Sequence, residues 1–420
     1  MIKNQQVIIQ IIQEQQGIHL PDPLVERDVW ADLLRYRDNS QIVVIKGMRR
    51  CGKSIALHWL RANEKNPYFY FNFDDDRLAD FSVQDFQMLL ETLIAERGPA
   101  RIAYFDEIQN VAGWEKFIRR LHDQGYKIYL TGSNAQLLSQ EFGTHLTGRT
   151  ISIEMYPYSF IEFLRAKKIR YDKKTWHSTD QIGILKNIFD QYLKIGGIPD
   201  YVNFEQPQYL ADLYDNILYR DILVRHRVNN ERALKSLAHY LASHIGKDLS
   251  YNNLKTLLKV ASATTVSDYC YFIQMSYLCY IVNQYSGSLK VQSHYGKKSY
   301  FVDSALARTV GFQSSEDIGR MLENIVFLEL KRRGYEVYFY RGKKECDFLV
   351  KSAHHVVQAI QVCMHFDNQE TFVREMAGLR EAMQQHQLDS GLILTDNIEA
   401  NEGEITIMPI WRWLLEKPIR

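Results

Sequence analysis

The run Gly47-Met-Arg-Arg-Cys-Gly-Lys-Ser54 limits what this chain can fold into more than any other feature. It has the spacing G-x-x-x-x-G-K-[ST], and its flanks give that spacing a physical meaning. Before it, Gln41-Ile-Val-Val-Ile-Lys46 is a short β-branched apolar run. After it, Ser54-Ile-Ala-Leu-His-Trp-Leu60 has helical spacing. The two glycines let the backbone turn so that successive N–H groups point at phosphate oxygens. The N-terminus of the next helix adds a favourable dipole. Gly47, Arg49, Arg50, Cys51, Gly52, Lys53, Ser54 and Ile55 are therefore the expected nucleotide-binding residues. Lys53 is expected on the β- and γ-phosphates, and the Ser54 hydroxyl on Mg2+.

The neighbouring pattern supplies the sheet that such a loop needs. Tyr68–Phe73, Arg101–Asp106, Lys127–Thr131 and Thr150–Glu154 read as further strands, with helices over Ser82–Glu96 and Trp114–Asp123. Strands alternating with helices imply crossovers and a parallel sheet covered on both faces. The expected fold class is multidomain α/β.

The third strand ends in Asp106-Glu107. Acids at the end of a buried strand are costly unless they act on a cation. Asp106 fits the Mg2+ shell, and Glu107 fits a general base on the attacking water. Ser133 and Asn134 close the fourth strand. Either they hydrogen-bond the γ-phosphate or the water, or Ser133 caps the helix that follows. Arg149 is expected to neutralise charge developing on the γ-phosphate, in cis or from a neighbouring subunit; the alternative is a surface arginine in a hairpin. A neighbour's arginine would imply a homo-oligomer.

These runs, with Tyr-Phe-Asp-Glu-Ile-Gln at 104–109, Leu-Thr-Gly-Ser at 130–133, Leu-Thr-Gly-Arg at 146–149 and Tyr-Pro-Tyr-Ser-Phe-Ile-Glu-Phe at 156–163, resemble the prokaryotic AAA-type ATPases. In that family a characteristic C-terminal domain of unknown function follows the ATPase. The resemblance covers essentially the whole chain and implies an ATP-binding protein. Cys51 stands where a small or apolar residue is more usual, as an oxidation-sensitive thiol or a buried inert one. Gly196-Gly-Ile-Pro-Asp200 and Tyr219-Arg-Asp-Ile222 also resemble the family. Arg220 and Asp221 are either nucleotide-facing or subunit-facing residues, or part of a solvated helix surface.

The second half divides by pattern into a helical linker at 166–230, a winged-helix-like domain at 231–305 and a nuclease-like domain at 306–420, after an ATPase domain at 1–165. Three helical segments followed by two strands give the winged-helix order. The third of these, Thr264–Tyr277, carries no Lys or Arg, which is poor for neutralising phosphates. Lys290, His294, Lys297 and Lys298 of the candidate wing are the better DNA contacts. Further on, a helix with Glu323, three strands, a helix and a strand give the order of a restriction-endonuclease-like fold. Such a site needs carboxylates for a metal and a Lys beside the phosphate. Asp347 is in place, but Gln361 and Cys363 stand where the second acid and the Lys belong, with Lys343, Lys344 or Lys351 as substitutes for the lost cation. Little or no cleavage is expected.

Composition closes off several classes. Of 420 residues, 46% are hydrophobic and 24% charged, which excludes a disordered or collagen-like chain. A net charge of +1 removes any bulk drive toward nucleic acid or anionic lipid. Five scattered cysteines without a CxxC pair argue against a disulfide framework or zinc knuckle and for a reducing, cytoplasmic setting. Met1–Gln16 reads as a short amphipathic helix, and no window is long and apolar enough to span a membrane. The expectation is Mg2+-dependent ATP hydrolysis that drives a conformational change on a duplex DNA or protein partner. The alternatives are a protein-interaction switch without nucleic acid and an ATP-coupled nuclease.

Overall fold

Five short strands organise the first part of the chain: β1 (Ile42–Lys46), β2 (Tyr68–Asn72), β3 (Ile102–Asp106), β4 (Lys127–Gly132) and β5 (Thr150–Glu154). They pair in the order β2-β3-β4-β1-β5, all parallel. The computed structural model describes residues 5–133, 146, 148–171, 178–288, 296–312, 318–353, 355–364 and 369–416.

The period of two decides what each face buries. Ile42, Val44, Phe69, Phe71, Ala103, Phe105, Ile128 and Leu130 share one core. The helices Phe86–Arg97 and Trp114–Asp123 add Leu89, Leu93, Phe117 and Leu121 to it, with Phe86 stacked on Phe117 at 4.3 Å. Ile8, Ile11 and Ile12 of the N-terminal helix Gln5–Glu14 join the same core. Alternate residues Tyr70, Tyr104 and Tyr129 stay outside this cluster, and Tyr104 stacks on Tyr129 at 4.9 Å. On their side the Arg61 guanidinium, from the helix Lys53–Ala62, lies 3.7 Å from the Tyr70 ring centroid. Both faces are thus covered, as a parallel sheet requires.

The chain forms two units, residues 1–156 with 275–277, and residues 157–274 with 278–420. The second opens with a capping box. The Ser159 hydroxyl accepts from the Glu162 amide at 3.1 Å, and the Glu162 carboxylate accepts from the Ser159 amide at 2.9 Å. The family-like segment at 196–200 is structural here. The Asp303 carboxylate accepts from the Gly197 amide at 2.6 Å and leaves no room for a side chain at Gly196. Asp221 is buried and Arg220 exposed, within an eight-residue π-helix, Ile217–Val224.

The helices Glu231–Ser243, Tyr251–Leu258 and Ala263–Met275 precede β7 (Cys279–Asn283) and β8 (Lys297–Phe301). A two-residue strand, β6 (Asp248–Leu249), completes the antiparallel order β6-β8-β7. It is too short to leave a sequence period. After the helix Ile318–Arg332 come β9 (Glu336–Arg341), β10 (Glu345–Ser352), β11 (His355–Cys363), the helix Gln369–His386 and β12 (Gly391–Thr395), in the expected order. A terminal hairpin, β13 (Ala400–Glu402) and β14 (Ile405–Pro409), extends the sheet to β13-β14-β12-β11-β10-β9. All five cysteines are free and buried, and among the described residues no helix is long and apolar enough to cross a membrane.

Candidate active site

The strand order builds the site. β4 lies between β1 and β3, with Lys46 level with Gly132 and Phe105 level with Leu130. The loop after β1, the acids ending β3 and Thr131 to Ser133 therefore meet at one carboxyl edge of the sheet, where open α/β sheets place ligands.

The loop is held in a shape that few residues tolerate. Gly47 and Gly52 have φ of 150° and 104°, and Arg50 sits at 65°. A Cβ on Gly47 would come within 2.2 Å of the Met155 carbonyl oxygen. Gly52 then caps the helix that begins at Lys53. Lys53 is 4% exposed. Its Nζ donates to the Met48 carbonyl at 2.9 Å and stands 3.8 Å from Glu107 Oε1. Cys51 is buried within the loop, and burial pushes its thiol pKa up, so it reads as the inert alternative.

Asp106 and Glu107 differ in environment although adjacent. Asp106 is 1% exposed, accepts a short hydrogen bond from the Thr131 hydroxyl, and has no partner on Oδ2. Burial, and then the Glu107 charge, push its pKa up to about 6 against the opposing pull of Thr131, Ser54 and Lys53. Glu107 takes a left-handed φ of 51°, with its amide donating to Thr131 Oγ1 at 3.0 Å. Its Oε2 accepts from the Gln109 amide and from Ser133 Oγ at 3.3 Å. Burial alone would raise its pKa, but Lys53, Gln109, Arg49 and Ser133 hold it below the usual carboxylate range. An ionised carboxylate therefore faces a buried ammonium group.

Lys53, Glu107 and Ser133 are thus brought together, with Ser54 and Asp106 beside them. Asn134 lies outside the described residues. Arg149 goes elsewhere in its own chain. It precedes β5, its carbonyl accepts from the Ile42 amide at 2.8 Å, and its Nε lies 3.5 Å from Asp123. That is the amino edge of the sheet, about 13 Å from the loop over four residues of β1. This placement does not bring Arg149 to the loop of its own chain; here it is a partly exposed arginine paired with Asp123. The sequence does not mark Thr131 or Arg27 as site residues. Thr131 bridges both acids, but only the register of the β3–β4 pair reveals it. Arg27 is buried and donates to the Cys51 carbonyl at 2.9 Å and the Tyr156 carbonyl at 2.7 Å. It lies in an irregular segment with no periodic signal.

In the second unit a carboxylate cluster gathers around an unexpected lysine. Lys298 of β8 is 3% exposed, with Nζ 2.7 Å from Glu345, 3.7 Å from Glu323 and 3.8 Å from Asp347. Gln361 Nε2 donates to Asp347 at 2.9 Å and to Glu375 at 2.5 Å. Burial alone would lower the Lys298 pKa, but the three carboxylates raise it. Two expectations are corrected. Lys298 is not a wing residue free for DNA, because it neutralises these acids; Lys290 and His294 lie outside the described residues. Nor do Lys343, Lys344 or Lys351 replace the lost strand lysine. Lys343 and Lys344 are exposed, outside the buried cluster, and Lys351 pairs with Glu336 at 2.9 Å.

Three stretches of the chain match models of known families. Residues 39–164 match the model of an AAA domain, 186–317 a domain of unknown function (DUF8612), and 318–413 a second one (DUF4143). An uncharacterized protein of Methanocaldococcus jannaschii, MJ1544, is 32% identical over 93% of this chain and 91% of its own. An uncharacterized protein of Haemophilus influenzae is 33% identical over 77% of this chain and 83% of its own. Among solved structures, the Walker-type ATPase PABY2304 of Pyrococcus abyssi is similar with a TM-score of 0.44 and 15% identity, covering 70% of this chain and 98% of that one.

Proposed function

The chain belongs to the family of AAA-domain P-loop ATPases whose ATPase domain is followed by two domains of unknown function, and from that premise we propose that it hydrolyses Mg·ATP to drive a conformational change on a partner. The observation that carries this reading is the Lys53–Glu107 contact beside Ser133 and Asp106.

The residues fit a magnesium ion. Asp106 offers a buried carboxyl whose Oδ2 has no hydrogen-bond partner, next to the Ser54 hydroxyl. The ion would supply charge neutralisation on the phosphates. The chain's own residues do the rest. Backbone N–H groups between Gly47 and Gly52 cradle the phosphates. Lys53 leaves Glu107 for the β- and γ-oxygens. With that cation withdrawn, the Glu107 carboxylate becomes more basic and accepts a proton from the attacking water. The water oxygen bonds to the γ-phosphorus as the bond to the β–γ bridging oxygen breaks. Ser133 and Gln109 hold the carboxylate in place.

We assign residues 1–165 to the ATPase domain, 166–230 to a helical linker, 231–305 to a winged-helix-like domain and 306–420 to a nuclease-like domain with little or no cleavage activity. A protein partner is favoured over duplex DNA, because Lys298 is buried and the helix Ala263–Met275 carries no cation. Phosphate release from Mg·ATP, measured with and without duplex DNA and with Glu107→Gln as blank, tests this. DNA-independent turnover supports the reading; strong stimulation by DNA replaces the protein partner with DNA.

A further inference from the structure

The phosphate loop is tied to the point where the chain leaves the first unit. Met155 and Tyr156 follow β5, and Tyr156 is the last residue before the second unit begins at Pro157. The Met155 amide donates to the Lys46 carbonyl at 2.7 Å, one residue before the loop. The Met155 carbonyl abuts Gly47, and the Met155 methyl lies 3.7 Å from where a Cβ on Gly52 would be. Arg27 closes the arrangement with one guanidinium, Nη1 on the Cys51 carbonyl at 2.9 Å and Nη2 on the Tyr156 carbonyl at 2.7 Å. Arg27 is 8% exposed, so water does not compete well for either acceptor.

We propose that Arg27 is a positioning residue that couples the phosphate loop to the exit segment at Tyr156–Pro157. This rests on the loop binding ATP. Cys51 is a loop residue whose peptide must settle when N–H groups close on phosphates. Its carbonyl is held by one arm of a rigid, planar fork. The other arm holds the Tyr156 carbonyl, so the two peptides move together. Tyr156 also precedes a proline, which restricts its backbone to extended conformations. A shift of its carbonyl is then passed along the chain rather than absorbed by local rotation. Each further contact, at Lys46, Gly47 and Gly52, comes from Met155, the residue before Tyr156, and binds it to the loop.

The test is hydrogen exchange by mass spectrometry on full-length protein carrying Glu107→Gln, with and without Mg·ATP, beside titration with a fluorescent ATP analogue. The expected result is nucleotide-dependent slowing at residues 155–160 by at least fivefold. In Arg27→Met, ATP still binds within about tenfold of the parent, and that slowing is lost. Arg27→Lys, which keeps the charge without the fork, recovers part of it and carries the test if Arg27→Met does not fold. A merely structural role would speed exchange at 155–160 without nucleotide and leave the ATP-dependent slowing intact, which overturns the proposal. So does ATP binding with no change at 155–160 in the parent. Absence of ATP binding by the parent overturns the functional reading itself, and this inference with it.

Discussion

Replacing Glu107 with Gln separates binding from turnover, because the two depend on different properties of that side chain. The substitution keeps the shape and still offers an oxygen to Ser133 and Gln109. It removes the charge that faces Lys53 Nζ at 3.8 Å. With an effective dielectric of roughly 20, that contact is worth about 4 kcal/mol before desolvation is subtracted. Since Lys53 must leave Glu107 to reach a phosphate, losing the contact favours the nucleotide. We expect ATP affinity to rise on the order of tenfold after the opposing desolvation is counted. The amide cannot accept the proton of the attacking water, so phosphate release falls by roughly 100- to 10,000-fold, about 3–5 kcal/mol of barrier. Titration with a fluorescent ATP analogue and continuous phosphate detection on the same preparation read both quantities. Turnover within threefold of the parent would refute the base assignment. Weakened ATP binding would refute the view that Glu107 holds Lys53 in reserve.

Three further outcomes follow from the geometry. Thr131→Val removes the hydroxyl that bridges Asp106 and the Glu107 amide; it should cost about 1–3 kcal/mol in a urea melt and slow turnover more than it weakens ATP binding by calorimetry. Lys298→Met strips the cation from three carboxylates and should destabilise the protein by about 3–5 kcal/mol, with Lys298→Met/Glu345→Gln recovering part of that loss. His58 is buried beside Arg61, and burial followed by the Arg61 charge lowers its pKa to about 4. The folded state therefore favours neutral His58. Its contribution is complete above the unfolded value near 6.5 and is lost as pH falls toward 4, on the order of 2–3 kcal/mol. His58→Gln should flatten the pH dependence of urea stability in that window relative to the parent; equal slopes would dismiss the assignment.

What was legible in the sequence follows from how local each feature is. Gly47 to Ser54 is contiguous, with strand and helix flanks, and Asp106-Glu107 ends a strand, so both could be read without a fold. The Thr131 bridge depends on the register of the β3–β4 pair, with Phe105 level with Leu130, which no spacing within either strand displays. The Leu-Thr-Gly-Arg run points to Arg149 as a γ-phosphate contact, yet β5 runs parallel to β1, which puts its start at the far edge. Arg27 lies 24 residues before the carbonyl it holds. By sequence Lys298 reads as a wing residue, because the charge of a side chain says nothing about whether acids from β10 and the helix Ile318–Arg332 converge on it.

The central claim is that the loop at residues 47–54 carries out Mg2+-dependent ATP hydrolysis. Single-turnover phosphate release from ATP, with full-length protein in excess, tests it most directly. The account predicts phosphate formation with Mg2+, none once the metal is chelated, and none from Lys53→Ala in either condition. Equal release with and without metal, or from Lys53→Ala, would contradict it.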